Sequence, residues 1–178
     1  MPFQEDPLYL VLKPEKIQDR IAELAKEISE ELKDQKVVLL GVLKGAFLFL
    51  ADLARKMEIP VSVDFVRVSS YGGNTESSGK ITLTKACEID VTDCTVIVIE
   101  DIVDTGFTLT WLVDHLKAQG CRQVKTCSLV DKPERRGIDL KIDYVGFNIP
   151  EGFLVGYGMD YDERYRQLPG IYELKLEG

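Results

Sequence analysis

The sequence predicts an α/β domain with a mostly parallel central sheet, in which buried strands alternate with helices. Residues 36–43 (KVVLLGVL) and 95–100 (TVIVIE) are continuous apolar runs, typical of strands covered on both faces. Each run is followed by apolar residues at helical spacing, as in residues 46–57. The chain therefore repeats a strand–helix unit, and such sheets bind ligands at the carboxyl ends of their strands.

The remaining elements follow from periodicity and turn residues. Ile17, Ile21 and Leu24 recur at helical spacing with charges between them. Residues 69–80 (SSYGGNTESSGK) are rich in Ser, Thr and Gly and predict a mobile surface loop, longer than a plain hairpin connection. In chain order we predict a helix over 15–33, a strand over 36–43, a helix over 46–57, a strand over 61–68, the loop, a strand over 95–100, a helix that ends near Gly120, and strands over 124–131 and 142–149.

Length and charge restrict the possible functions. A chain of 178 residues suits one compact domain. Its formal net charge of −8 argues against non-specific binding to nucleic acid, which requires clustered Lys and Arg. A small phosphorylated ligand remains compatible, because backbone N–H groups and a metal can hold one. We expect no nucleic-acid partner.

The cysteines predict a reducing compartment. Cys87, Cys94, Cys121 and Cys127 show no C-x-x-C spacing, and His115 is the only histidine. Zinc and a disulfide framework are therefore not expected, and His115 is interpreted as structural. The first residues resemble no signal peptide, and no uncharged apolar run reaches membrane-spanning length. We expect a cytoplasmic protein without a membrane partner.

Residues 96–109 (VIVIEDIVDTGFTL) place three carboxylates where the most apolar strand ends. Gly106 allows close approach or positive φ, Thr105 and Thr108 supply hydroxyl groups, and the following helix directs its first N–H groups over the loop. This arrangement suits a phosphate dianion. On the turn alone, an ordinary helix N-cap explains the pattern equally well.

Glu100 and Asp101 favour the ligand-binding interpretation. Two adjacent carboxylates would repel a phosphate, so we expect them to face sugar hydroxyls or a divalent metal. The predicted ligand carries a phosphate with a ribose beside it.

These residues resemble the 5-phosphoribosyl 1-pyrophosphate signature of type I phosphoribosyltransferases, and no Walker A motif occurs. Nearly the whole chain is similar to the hypoxanthine-guanine phosphoribosyltransferases. That family's pyrophosphate loop, flap, purine-recognition strand end and hood resemble, respectively, GVLKGAFLFLADL, DFVRVSSYGG, LVDKPERR and DYVGFNIPEGFLVGYGMDYDERYRQLPGIYEL.

The resemblance implies a Rossmann-like type I phosphoribosyltransferase fold with a small hood and a mobile flap. The whole chain, 1–178, would form one domain with a core over about 10–148, a hood from about 149–178 with N-terminal residues, and a flap at 69–80. It also implies purine salvage: hypoxanthine or guanine plus phosphoribosyl pyrophosphate gives IMP or GMP plus pyrophosphate. Mg²⁺ dependence and a homodimer or homotetramer are implied as well.

The resemblance assigns roles to individual residues. Asp104 would be catalytic, exchanging a proton with N7 of the purine. Glu100 and Asp101 would bind ribose hydroxyls and Mg²⁺, and Asp160 would bind a second Mg²⁺ near the purine. Without the resemblance, a surface position explains Lys44 equally well, and core packing is the favoured interpretation of Phe153. The implied phosphoribosyl pyrophosphate and pyrophosphate site is Lys44, Gly45, Glu100, Asp101, Asp104, Thr105, Gly106, Phe107, Thr108 and Arg166. The implied purine site is Lys132, Phe153, Leu154 and Asp160, and the flap pair is Ser70 and Tyr71.

Two alternatives stay open from the sequence. The first is a nucleotide-sensing regulator with this fold, which would need a basic face or a helix-turn-helix module that the sequence does not show. The second is a xanthine-preferring transferase, because Asp160 and backbone carbonyls jointly set the preference at the purine 2-position.

Overall fold

The structure is a computed structural model that describes residues 7–71 and 80–175, with the backbone alone at 70, 71 and 80. The helices and strands within these ranges are β1 (Leu8–Leu12), α1 (Pro14–Glu31), β2 (Val37–Val42), α2 (Phe47–Lys56), β3 (Val61–Tyr71), β4 (Lys80–Lys85), β5 (Thr95–Val103), α3 (Phe107–Ala118), β6 (Gln123–Asp131), a 3₁₀ turn (Pro133–Arg135), β7 (Tyr144–Asn148), β8 (Phe153–Val155) and β9 (Ile171–Leu174).

The predicted α/β fold is confirmed. The main sheet has the strand order β4-β3-β2-β5-β6-β7, and all neighbours except β3 and β4 are parallel. All six residues of β2 are buried because helices cover both faces of the sheet. Leu39 and Ile97 pack under α1 and α2, whereas Leu40 and Val98 pack under α3. The alternation of side chains along each strand thus supplies two separate cores.

The chain reverses direction across the sheet between β2 and β5. From β2 it crosses through α2 to β3 on one side, and from β5 it crosses through α3 to β6 on the other. The loops that follow these two strands therefore diverge and leave a crevice at the carboxyl ends. This crevice holds the loop at 43–46 and the loop at 104–106.

A second, small antiparallel sheet consists of β1, β9 and β8, and the sequence prediction contained none of these strands. Leu174 pairs with Leu8 on one side and with Phe153 on the other. The three strands have only three to five residues each, too few for a clear alternation. The small sheet joins both chain ends to the region that follows β7.

The predicted loop over 69–80 is partly wrong. Strand β3 continues to Tyr71, and β4, which was not predicted, begins at Lys80. Pairing of Ser69 with Thr82 explains the difference, because it gives polar residues partners across the strands. Residues 72–79 lie outside the described residues, so the flap interpretation stays a prediction.

Asp64, in β3, binds the backbone of the segment that follows β4. Its buried carboxylate accepts hydrogen bonds from the backbone N–H groups of Phe65 (2.6 Å), Glu88 (2.6 Å) and Ile89 (3.1 Å), and it lies 3.3 Å from Lys85 Nζ. Burial alone would raise its pKa, but these donors outweigh burial and hold the pKa of Asp64 well below its usual value of 3.8.

We expect Asp64→Asn to lower the free energy of unfolding at pH 7 by about 1–3 kcal/mol, because one amide oxygen cannot replace the ionised carboxylate. The lowered pKa means that the wild-type contribution is complete above about pH 4 and is lost as pH falls below that value. Urea unfolding at pH 7 and in stepwise more acidic buffers measures this. A difference between wild type and variant that fails to shrink on acidification would contradict the assignment.

Candidate functional site

The crevice is closed on one side by a very tight contact between Gly45 and Asp101. A Cβ atom placed on Gly45 would lie 1.8 Å from Asp101 Oδ2, so only glycine fits against this carboxylate. Gly158 packs on the other side, where an added Cβ would lie 2.1 Å from the Gly45 carbonyl oxygen. Gly158 also has φ of 98°, a conformation that favours glycine. The loops after β2 and β8 therefore meet directly beside the end of β5.

An open cleft of about 290 Å³ extends from the end of β5 into the loop that begins α3. Gly106 caps α3 with φ of 87°, and Thr110 N donates to its carbonyl oxygen. The first N–H groups of a twelve-residue helix thus point toward the loop, which suits an anion. The residues that line the cleft are Val42, Glu100, Ile102, Val103, Asp104, Thr105, Gly106, Thr108 and Leu109.

The segment after β6 holds the loop that begins α3 through hydrogen bonds to its backbone. Arg136 Nη1 donates to the Asp104 carbonyl oxygen at 3.2 Å, and its guanidinium forms an ion pair with the buried Asp131. Gly137 N donates to the Thr105 carbonyl oxygen at 3.0 Å, and the Phe107 ring packs on Gly137. Sequence reasoning missed Arg136 and Asp131 as supports, although both lie in the stretch LVDKPERR that carries the purine resemblance.

Glu100 and Asp101 are partly buried carboxylates with strongly perturbed titration. Burial, and secondarily the charge of Asp101, raises the pKa of Glu100 well above its usual value. Burial likewise raises the pKa of Asp101 to about 6, against the lowering effects of nearby backbone N–H groups and of Arg166. A bound cation or hydroxyl donors would stabilise the ionised form of such desolvated carboxylates most strongly.

This donor set fits a magnesium ion that is completed by a ligand. Mg²⁺ is commonly bound by one or two carboxylates together with substrate phosphates and water. Within residues 7–71 and 80–175, no three acidic, histidine or cysteine side chains are close enough together to form a site by themselves. The Asp160 carboxylate accepts a hydrogen bond from Glu163 N at 2.9 Å and forms an ion pair with Arg166 Nη2 at 2.9 Å.

Asp104 is partly exposed at the rim of the cleft. Its Oδ1 atom lies 3.1 Å from Arg135 Nε, close enough for an ion pair but without hydrogen-bond geometry. The same segment carries Lys132, whose backbone N–H donates to the Val103 carbonyl oxygen at 3.0 Å. The structure therefore brings Asp104 and Lys132 to the same end of the sheet.

Lys132 is only 3% exposed, unusual for a lysine, and its Nζ donates to the Gly152 carbonyl oxygen. Burial, followed by the charge of Arg135, lowers its pKa. Phe153, next to Gly152, is 43% exposed and meets the ring of Tyr161 edge to face at 5.5 Å. The core interpretation of Phe153 is wrong, since a large apolar face is left open beside a buried ammonium group.

The predicted pyrophosphate residues lie at the junction of the two sheets. Lys44 follows a cis peptide bond from Leu43, and its Nζ lies 2.8 Å from Glu163 Oε2. Arg166 Nη1 donates to the Gly158 carbonyl oxygen at 2.8 Å. Glu163 and Gly158 could not be identified from the sequence, because their importance arises from contacts between distant segments.

The other predicted positions are less informative. Leu154 is buried in the small sheet, opposite Glu173. The side chains of Ser70 and Tyr71 lie outside the described residues.

His115 stacks on Trp111 at 5.2 Å and lies 3.0 Å from Gln119 Nε2, which agrees with a structural role. All four cysteines are free. Among the described residues, no helix has the length and apolar character needed to span a membrane.

Comparison with known proteins agrees with this geometry. The model of the phosphoribosyl transferase domain matches residues 11–162. Curated hypoxanthine-guanine phosphoribosyltransferases from Mycobacterium avium and Aquifex aeolicus are 46% and 45% identical, covering 91% and 93% of this chain and 83% and 93% of their own. The crystal structure of such an enzyme from Bacillus anthracis superposes with a TM-score of 0.91 at 43% identity, covering 96% of this chain and all of that one.

The shared domain, the identity over most of both chains and the matching fold confirm the predicted family, and the chain belongs to the hypoxanthine-guanine phosphoribosyltransferases.

Proposed function

We propose that this protein is a purine-salvage transferase that converts hypoxanthine or guanine and 5-phosphoribosyl 1-pyrophosphate into IMP or GMP and pyrophosphate. The observation that carries the choice of base is the buried Lys132 beside the open ring of Phe153. An ammonium group donates to a 6-oxo oxygen, and an aromatic face stacks on a planar base. Both features match the base named in the related enzymes.

In this proposal the two ends of the donor substrate occupy different loops. The 5-phosphate binds at residues 104–108, where the N-terminus of α3 supplies N–H groups. Pyrophosphate binds near Lys44, Gly45 and Arg166, since cations and exposed backbone suit a polyanion. The ribose hydroxyls then lie between them, opposite Glu100 and Asp101.

Asp104 acts as the proton acceptor. The bond from C1′ to the purine N9 forms while the bond from C1′ to pyrophosphate breaks, and the proton leaves N7 for the Asp104 carboxylate. Lys132 and Phe153 hold the base, and Leu154 offers its backbone carbonyl near the 2-position together with Asp160. Glu100, Asp101 and Asp160 would hold Mg²⁺, which when bound neutralises charge on the leaving pyrophosphate.

Several properties stay predictions of the family resemblance. These are closure of the flap over the site with Ser70 and Tyr71, a homodimer or homotetramer, a cytoplasmic location and the division into core and hood. The net charge of −8 continues to argue against the regulator that would bind nucleic acid.

The direct test is an assay of nucleotide formation from hypoxanthine, guanine, xanthine and adenine with phosphoribosyl pyrophosphate and Mg²⁺. We expect turnover of hypoxanthine and guanine, and turnover of adenine slower by at least about 10²-fold, because its 6-amino group opposes the Lys132 donor. Fast turnover of adenine would contradict the proposed base site, and xanthine as the best substrate would favour the alternative transferase. Undiminished activity in excess chelator would contradict the metal requirement.

A second prediction concerns Asp104→Asn. Asparagine keeps the size of the residue but cannot accept the proton, so kcat should fall by about 10²–10⁴-fold. Binding of phosphoribosyl pyrophosphate, measured by calorimetry, should change by only a few-fold. Asp114→Asn, an exposed carboxylate on α3, is the matched control and should keep normal kcat. A kcat for Asp104→Asn within a few-fold of wild type would leave only a structural role.

A further inference from the structure

Glu163 occupies an unusual position between two cations of the pyrophosphate site. Its Oε2 atom lies 2.8 Å from Lys44 Nζ and 3.5 Å from Arg166 Nη2, so one carboxylate oxygen faces both charges. A hydrogen bond from Lys44 is the chief reason that the pKa of Glu163 is lowered, which keeps this carboxylate ionised at neutral pH.

The backbone at Glu163 is also unusual. Tyr161 and Arg164 exchange both backbone hydrogen bonds, at 3.0 and 3.2 Å, and form a tight two-residue hairpin. Its central residues, Asp162 and Glu163, have φ of 52° and 59°. This matches a type I′ turn, in which Asn and Gly are the preferred central residues. A glutamate is strained at that position, and such strain points to a function of the side chain.

The turn is fixed to the site from both sides. Glu163 N donates to Asp160 Oδ2 at 2.9 Å, and Asp160 Oδ1 lies 2.9 Å from Arg166 Nη2. Arg166 in turn holds the Gly158 carbonyl oxygen, and Gly158 packs on Gly45. These contacts fix the turn, so that the Glu163 carboxylate lies where Lys44 approaches the loop of Gly158.

We propose that Glu163 is a competing internal anion, which pairs with Lys44 and Arg166 in the free protein and must be displaced by pyrophosphate. The inference rests on the proposed function, since that function assigns both cations to pyrophosphate. When pyrophosphate leaves, the carboxylate restores the two ion pairs, so the cations are never left unpaired. Glu163 therefore weakens binding of the product and speeds its release.

The effect should be modest because Lys44 and Glu163 are both substantially exposed, and exposed ion pairs are weak and screened by salt. We expect Glu163→Gln to bind pyrophosphate about two- to five-fold more tightly at low salt. The gain should decrease at high salt. The rate of pyrophosphate dissociation should fall by a similar factor, because mutations within one site act mostly on dissociation.

The experiment is titration calorimetry with inorganic pyrophosphate and Mg²⁺, with dissociation followed by stopped flow. The matched control is Asp162→Asn, which removes the same charge from the same turn. Within the described part of the chain, Asp162 forms no ion pair with Lys44 or Arg166. Tighter binding by Glu163→Gln with unchanged binding by Asp162→Asn is the expected result.

Two results would overturn the inference while leaving the proposed function intact. One is an affinity of Glu163→Gln for pyrophosphate equal to or weaker than that of wild type, which would mean that Glu163 positions the two cations for pyrophosphate. The other is equal tightening by both variants, which would reduce the effect to net charge. Failure of both wild type and Glu163→Gln to bind pyrophosphate would overturn the pyrophosphate site itself, and the inference with it.

Discussion

The rest of the site depends on the contact of Asp101, Gly45 and Gly158. Each of these residues comes from a different element: the end of β5, the loop after β2 and the loop after β8. The contact is so close that a single added carbon on either glycine would overlap an oxygen atom. Because protein interiors do not tolerate such overlap, the three segments have one relative placement. That placement sets where Lys44, Arg166 and Asp160 stand relative to the acidic pair.

Electrostatics explains why such a rigid arrangement is useful. Glu100 and Asp101 are held where water is partly excluded, and their raised pKa values record the free energy that this burial costs. A bound cation or sugar hydroxyl groups would recover that energy. On the other side of Gly45, the Glu163 carboxylate forms ion pairs with Lys44 and Arg166.

The sequence predicted the parts of the fold that long periodic segments build. The apolar runs of β2 and β5, the helices after them and the acidic loop at 104–108 were all recognisable, because each signal is local. The strands β1, β8 and β9 were missed because each has only three to five residues, too few for a clear alternation of side chains. Their pairing depends on partners from opposite ends of the chain.

The site shows the same division. The family resemblance predicts roles for Asp104 and Lys132 from the sequence, whereas no sequence signal pointed to Glu163 or Gly158. Their roles come from contacts with residues about 120 positions earlier, and one glycine or glutamate in a polar loop gives no sign of this. Positive φ at Glu163 is likewise a property of the folded turn. Such through-space constraints required the structure.

The most direct test of this account compares Gly158→Ala with Gly120→Ala by calorimetric titration with pyrophosphate and Mg²⁺. Both glycines have positive φ, 98° and 82°, so both variants should lose about 1–2 kcal/mol of stability from backbone strain. Only at position 158 does the new Cβ meet the loop of Gly45, at 2.1 Å, whereas at position 120 the nearest atom is 3.9 Å away. We expect pyrophosphate binding at least about 10-fold weaker for Gly158→Ala and unchanged for Gly120→Ala. Equal pyrophosphate binding by the two folded variants would contradict it.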